Sequence, residues 1–219
     1  MPDDGSPPPQ RRNRRKDARP AEVIEAARDL FISRGFAATK LEDVARRAGV
    51  SVGLPYLYFE NKVGLFKAVV EHSILPQFRL GEELLDGYEG STEDLLRLMA
   101  YKSWEMEQSP LGGLPKLVVS EAGNFPDIAR FYIEEVVVRG RALFARVLQR
   151  GIDRGEFRPV DAPTMARVVV APLTMLSIWH RSLAPFEPEP RPSAKAYLDA
   201  YLDLVLHGLR ANPGDSRHD

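Results

Sequence analysis

Thr39, Lys40, Ser51, Tyr56, Tyr58 and Lys62 place four hydroxyls and two ammonium groups within 24 residues. Hydroxyls and ammoniums at that density can hold anionic oxygens, phosphates above all, by hydrogen bonding and charge. Bond-making chemistry lacks comparable support. The four histidines, His72, His180, His207 and His218, are scattered, and no HExxH or Gly-rich phosphate loop occurs; the GxSxG match at Gly49–Gly53 follows a helical pattern and not the strand that a nucleophile elbow needs. There is no cysteine, which excludes disulfides, thiolate metal sites and thiol catalysis. The sequence points to no catalytic residue, metal or cofactor, so an enzyme is not expected.

The elements that position the polar set follow from the apolar spacing around it. Leu41, Val44, Ala45 and Ala48 fall at i, i+3, i+4 and i+7, one stripe of a short helix. Thr39 with Glu42 three residues later is a capping-box pattern. Gly49 stands where a helix end needs a left-handed residue, and Ser51 is a good cap for a second short helix. Asn61 would cap the next one, with Leu65, Phe66, Val69, Val70 and Ile74 on one side. Helix, glycine turn and capped helix within about twenty residues is the helix-turn-helix layout, whose second helix can enter a DNA major groove. Its expected core is Val23, Ala27, Leu30, Phe31, Phe36, Val44, Ala45, Ala48, Val50 and Phe59.

Composition agrees with a folded, helical protein. The 219 residues are 44% hydrophobic and 28% charged. Residues 1–70 hold thirteen Lys+Arg and nine Asp+Glu, a net of +4; the remainder holds 17 and 22, a net of −5. A basic amino-terminal third suits a polyanionic partner. The first residues lack a signal peptide's apolar core, and the apolar run Val168 to Trp179 is too short to span a bilayer. A cytoplasmic location without a membrane partner is the expectation.

Taken in order, residues 1–17 form an expected disordered tail, in which Arg11–Lys16 carries five basic residues that could follow phosphates. Residues 18–66 form the helix-turn-helix domain, its first helix running from about Pro20 to Arg34. Pro76 should break the fourth helix, with a boundary around Gly81 to Gly90. Residues 67–211 read as helices only, and 212–219 as a second disordered tail. Ser91 caps a helix to about Gln108, and Gly112, Gly113 and Pro115 mark a turn before one ending near Asn124. Pro126 opens a long helix to about Arg154, and Asp161 with Pro163 opens one to about Ala184 whose apolar middle suggests burial on all sides. Ala194 to Arg210 is the last helix, with Tyr197, Tyr201, Leu204, Val205 and Leu209 on one stripe. The fold class is all-α.

From Leu30-Phe31 through Gly35-Phe36, Thr39, Val44-Ala45, Ala48-Gly49-Val50-Ser51, Gly53, Tyr56, Tyr58-Phe59, Lys62 and Leu65-Phe66, the chain resembles the TetR family (TetR/AcrR-like) of bacterial transcriptional regulators. The resemblance implies DNA contacts from Thr39, Lys40, Ser51, Val52, Gly53, Leu54, Tyr56, Tyr58 and Lys62. It implies a homodimer built by the last two long helices, about 163–184 and 194–210. It further implies a repressor released from a double-stranded operator by a small-molecule effector, with Tyr101, Trp104, Met106, Leu117, Phe131, Tyr132, Met175 and Trp179 as candidate pocket walls. Val52, Leu54 and Pro55 depart from the family's more polar pattern, so few side chains can hydrogen-bond base edges, and Pro55 should tighten or distort the helix. The alternative is a helical dimeric interaction protein of the same fold with weak or lost DNA binding.

Overall fold

The structure, a computed structural model, describes the backbone of residues 10–211 and the side chains of residues 20–211. The chain divides into two compact units that part between His72 and Ser73. The expected division at 66/67 falls inside a helix. Among the described residues every extended element is helical, and the sole β-type pairing is an isolated bridge between Phe157 and Arg210.

The smaller unit contains α1 (Gln10–Arg34), α2 (Leu41–Arg47), α3 (Leu54–Tyr58) and α4 (Lys62–Ser73). Helix α1 starts ten residues before Pro20, so residues 10–17, expected to lack structure, are helical. Arg and Lys are good helix formers and continue a helix whose far end is already buried. The side chains of Arg11–Lys16 lie outside the described residues, as do residues 1–9 and 212–219.

Phe31, Phe36 and Phe66 meet at centroid distances of 5.2 to 6.2 Å and are fully buried. Around this triad pack Val23, Ala27, Leu30, Leu41, Val44, Ala45, Leu65, Val69 and Val70. Ala48, Val50 and Phe59 are only half-buried at its edge. Gly49 takes φ +67° in the turn after α2, where a residue with a Cβ would cost roughly 1–2 kcal/mol. Asn61 caps α4, its Oδ1 accepting from Gly64 N at 2.9 Å.

The larger unit contains α5 (Leu75–Gly87), α6 (Thr92–Gln108), α7 (Leu114–Glu121), α8 (Pro126–Tyr132), α9 (Val138–Asp153), α10 (Ala162–Ser182) and α11 (Ala194–Leu209). Pro76 does break the chain, but it sits in the first turn of α5, where a missing N–H is harmless. That helix runs straight through Gly81, so no boundary lies there. A Cβ on Gly81 would stand 2.7 Å from Leu143 Cδ2, the far end of a side chain that would have to shift, so Gly81 marks close packing on α9 and not a break.

Three caps form as their sequences dictate. Ser91, Asp161 and Ser193 each accept from a backbone N–H three residues on, at 3.0, 2.9 and 3.1 Å. Gly155 at φ +68° closes α9. Helix α7 ends at Glu121, short of the expected Asn124. The long helix from Pro126 is interrupted by a π-helical turn at Ile133–Val137. Leu95, Leu96, Phe144, Val147, Leu148, Leu202 and Leu206 form the core of this unit. Helix α10 is not buried on all sides, since Val168 is 56% and Met175 55% exposed. By length and composition alone it could cross a membrane; here it packs along α7 and α9.

Candidate functional site

Helices α2 and α3 present the expected polar set, but not with the local bonding the sequence suggested. The cap of α2 is Lys40, without a side-chain hydrogen bond, so the Thr39–Glu42 capping box does not form. The Thr39 side chain turns inward instead. Buried at 1% exposure, its hydroxyl donates to the Gly35 carbonyl at 2.8 Å and the Leu30 carbonyl at 3.3 Å. The Gly35 carbonyl lies just beyond α1, where no intrahelical donor reaches it; the Leu30 carbonyl also accepts from Ser33 Oγ at 3.5 Å. Thr39 is therefore a fastener between α1 and α2.

The second short helix also begins later than expected. Gly53, not Ser51, is the cap of α3, and the Ser51 carbonyl closes the preceding turn by accepting from Leu54 N at 2.9 Å. This shift resolves the Pro55 problem. The proline lies in the first turn, where no intrahelical donor is needed, and it is buried. Its carbonyl accepts from Phe59 N at 2.9 Å, so the five-residue helix is short but regular.

Ser51, Val52 and Gly53 are exposed, as are Tyr56, Leu57 and Tyr58; Leu54 is half-buried and Lys40 exposed. Leu57, at 79% exposure, adds an apolar side chain to this face that is absent from the expected contact set. Lys62 donates to the Phe36 carbonyl at 2.7 Å and the Ala37 carbonyl at 3.0 Å, and its ammonium stands 4.5 Å from the Phe36 ring centroid. It ties the start of α4 to the α1–α2 turn. The Tyr56 hydroxyl donates to Glu42 Oε1 at 2.7 Å. This bond holds the Glu42 carboxyl below the usual range and, through the same negative charge, pushes the Tyr56 phenol up.

Of the eight expected pocket residues of the larger unit, Met175 and Trp179 line the cavity described below. Tyr101 on α6 hydrogen-bonds Asp199 on α11, which also pairs with Lys195 at 2.6 Å. Trp104 meets His180 edge-on at 5.2 Å. Met106 is exposed, Leu117 is core and Phe131 is half-buried. Tyr132 is buried, and burial together with the Glu107 charge pushes its phenol up. Glu107 itself is 5% exposed and held by Ser177 Oγ and Arg181 Nε, each at 2.5 Å. A buried carboxylate needs such partners.

Met175 and Trp179 line a cavity of about 550 Å³ with Glu187, Arg191 and Tyr197. It lies between the end of α10, the 183–193 segment and the start of α11. The composition of APFEPEPRP, rich in proline and charge, suggests a rigid solvated loop and gives no sign of a cavity wall. The Trp179 indole N–H donates to Glu187 Oε2 at 2.9 Å, fixing one wall.

A short exposed helix set by a glycine turn against a fastened three-helix core, followed by a larger helical unit, defines a helix-turn-helix DNA-binding regulator. The comparisons agree. The profile described as bacterial regulatory proteins, tetR family, matches residues 23–69, and that of the tetracyclin repressor-like C-terminal domain matches residues 89–205. The chain belongs to the TetR family of transcriptional regulators.

It is 30% identical over 159 residues to the uncharacterized HTH-type transcriptional regulator YfiR of Bacillus subtilis, covering 67% of this chain and 71% of that one. It is 26% identical over 219 residues to the HTH-type transcriptional repressor KstR2 of Mycolicibacterium smegmatis, covering 98% of each. The fold is shared with the transcriptional regulator FadR of Bacillus subtilis in complex with stearoyl-CoA, at a TM-score of 0.69 and 17% identity over 86% of this chain and 98% of that one.

Proposed function

We propose that this regulator is a cytoplasmic repressor that binds operator DNA as a homodimer and is released by a small-molecule effector. The observation that carries the DNA-docking face is Gly53. Its φ of −77° is open to any residue, and a Cβ there would meet nothing within 4 Å. Neither conformation nor packing within the protein asks for glycine. A partner surface approaching closer than a side chain permits would ask for it, as a groove floor does. Exposed Val52 and half-buried Leu54 beside it suit thymine methyls, and the expected reliance on DNA shape follows from the scarcity of base-reading polar groups. Ser51, Lys40, Tyr56 and Tyr58 are the remaining exposed candidates for phosphates.

Repression is supported by the repressor KstR2, aligned over nearly the whole chain. An effector is supported by the cavity, whose volume is in the range of small-molecule sites. The protein of like fold that carries stearoyl-CoA supports ligand binding by this class and says nothing of which ligand this chain takes. No residue set in the described structure favours catalysis over this reading.

Gly53→Leu tests the docking face. A surface change of this kind leaves stability within about 0.5 kcal/mol. The expected result is an unchanged thermal midpoint with at least a tenfold loss of affinity for the protein's own upstream DNA, measured by gel shift at several salt concentrations. Wild-type affinity in the variant would sink the groove placement.

A further inference from the structure

The charges of α2 are distributed unequally. Asp43 pairs with Arg46 at 3.2 Å, and Arg47 reaches Asp29 at 3.5 Å. Glu42 makes no ion pair among the described residues; its side-chain partner is the neutral Tyr56 hydroxyl at 2.7 Å. Both side chains stand at the exposed side of the smaller unit, on the first turn of α2 and on α3. A phenol has one proton to donate. While that proton lies on Glu42 it is not available to a phosphate oxygen, and a phosphate brought to Tyr56 meets a carboxylate one hydrogen bond away.

We propose that Glu42 competes with the DNA backbone for the Tyr56 hydroxyl and thereby weakens the sequence-independent part of binding. The proposal rests on the docking reading above. Docking then exchanges one acceptor of the phenol for another, so Tyr56 adds little net affinity, while the uncovered Glu42 opposes the phosphates at close range. Restraint of this kind suits an interface poor in base-reading groups. Its apolar contacts discriminate weakly, and general phosphate affinity would otherwise dominate at competing sites. Glu42 here lowers general DNA affinity by repulsion, against every duplex alike, and leaves the ratio between sequences unchanged.

Glu42→Gln keeps the shape and an acceptor for Tyr56 but removes the charge. A single like charge near the phosphates at a solvated surface is worth about a three- to tenfold change in affinity at low salt. Fluorescence anisotropy with the upstream operator and with scrambled duplexes should show the variant binding tighter by that factor, uniformly across sequences. Tyr56→Phe should change wild-type affinity less than about twofold, and cost more in the Glu42→Gln background, where a neutral amide oxygen holds the phenol less tightly than a carboxylate does and a phosphate can take it.

The phenol titration of Tyr56 in the DNA-free protein should move down in Glu42→Gln, a shift that a merely structural glutamate elsewhere would not produce. Unchanged or weaker binding by Glu42→Gln while the wild type binds DNA overturns the proposal alone. A gain confined to one base position overturns it in favour of base reading. Absence of any shift by wild type and variant at low salt removes the docking reading and the proposal together.

Discussion

The Thr39 hydroxyl donates at 2.8 and 3.3 Å to two carbonyls in the last turn of α1 and just beyond it, and no water reaches it. Valine at this position keeps the shape and leaves the Gly35 carbonyl without this donor, a loss of about 1–3 kcal/mol. Hydrogen exchange on the DNA-free protein reads it directly. Thr39→Val should lower protection of α1 and α2 amides by about tenfold or more, leaving α9 and α10 unaffected. A threonine that served only a phosphate would leave exchange untouched and change affinity alone.

Residue types were legible in the sequence here, but their partners were not. Thr39 and Glu42 stand three apart in a capping-box pattern, yet each found a better partner across the fold, nine and fourteen residues away in sequence. Lys62 was equally hidden: its acceptors are carbonyls 25 and 26 residues earlier. Replacing it by alanine would confound a DNA contact with a loosened core, which makes it a poor probe of the interface.

At the scale of elements, local rules worked wherever the local bond had no competitor. Ser91, Asp161 and Ser193 cap their helices by bonds that close within one turn, each side chain accepting from the backbone N–H three residues on. The rules slipped at α3, where the turn is closed by Ser51's carbonyl rather than its side chain and the helix begins three residues later than its apparent cap. The π-helical turn in the long helix has no signature that sequence spacing could reveal. The tight 3₁₀ turn at Pro110–Gly113 falls where Gly112 and Gly113 mark a turn in sequence, but the reason for Gly112 is tertiary.

A Cβ on Gly112 would stand 1.9 Å from the Glu107 carbonyl oxygen and 2.6 Å from Arg181 Nη2. The nearest obstacle is backbone and cannot swing aside, and the second is the guanidinium that neutralises buried Glu107. Gly112→Ala should cost about 1–3 kcal/mol by overpacking and lower the thermal midpoint by about 5 °C. Gly123→Ala, where nothing lies within 4 Å, is the control and should be neutral. Equal midpoints for the two variants would mean that the 3₁₀ turn is loose enough to yield.

At the scale of the whole molecule, the sequence showed which helices are apolar but not which faces stay uncovered. The single stripe expected on α11 divides in two. Tyr201 and Leu209 are buried with Leu198, Leu202 and Leu206, whereas Tyr197 is partly open and Leu204 is 74% exposed. On α10, Val168, Met175 and Trp179 are exposed at i, i+7 and i+11, the same side of that helix. Apolar side chains left outward on two adjacent helices suit a self-complementary four-helix contact between two copies, and two reading heads on one operator require such a pair.

Leu204→Glu places a charge at the most exposed apolar position of that face without touching the core of the protomer. If the face is the dimer contact, burial of an unpaired carboxylate there costs several kcal/mol. Sedimentation at micromolar concentration should then change from dimer to monomer. The circular dichroism spectrum should stay helical, since Leu204 supports nothing within its own chain. Operator affinity should fall by about a hundredfold or more, because each head then binds a half-site without the effective concentration supplied by its partner. If the variant sediments as the wild type does, α11 contributes no dimer contact at this position.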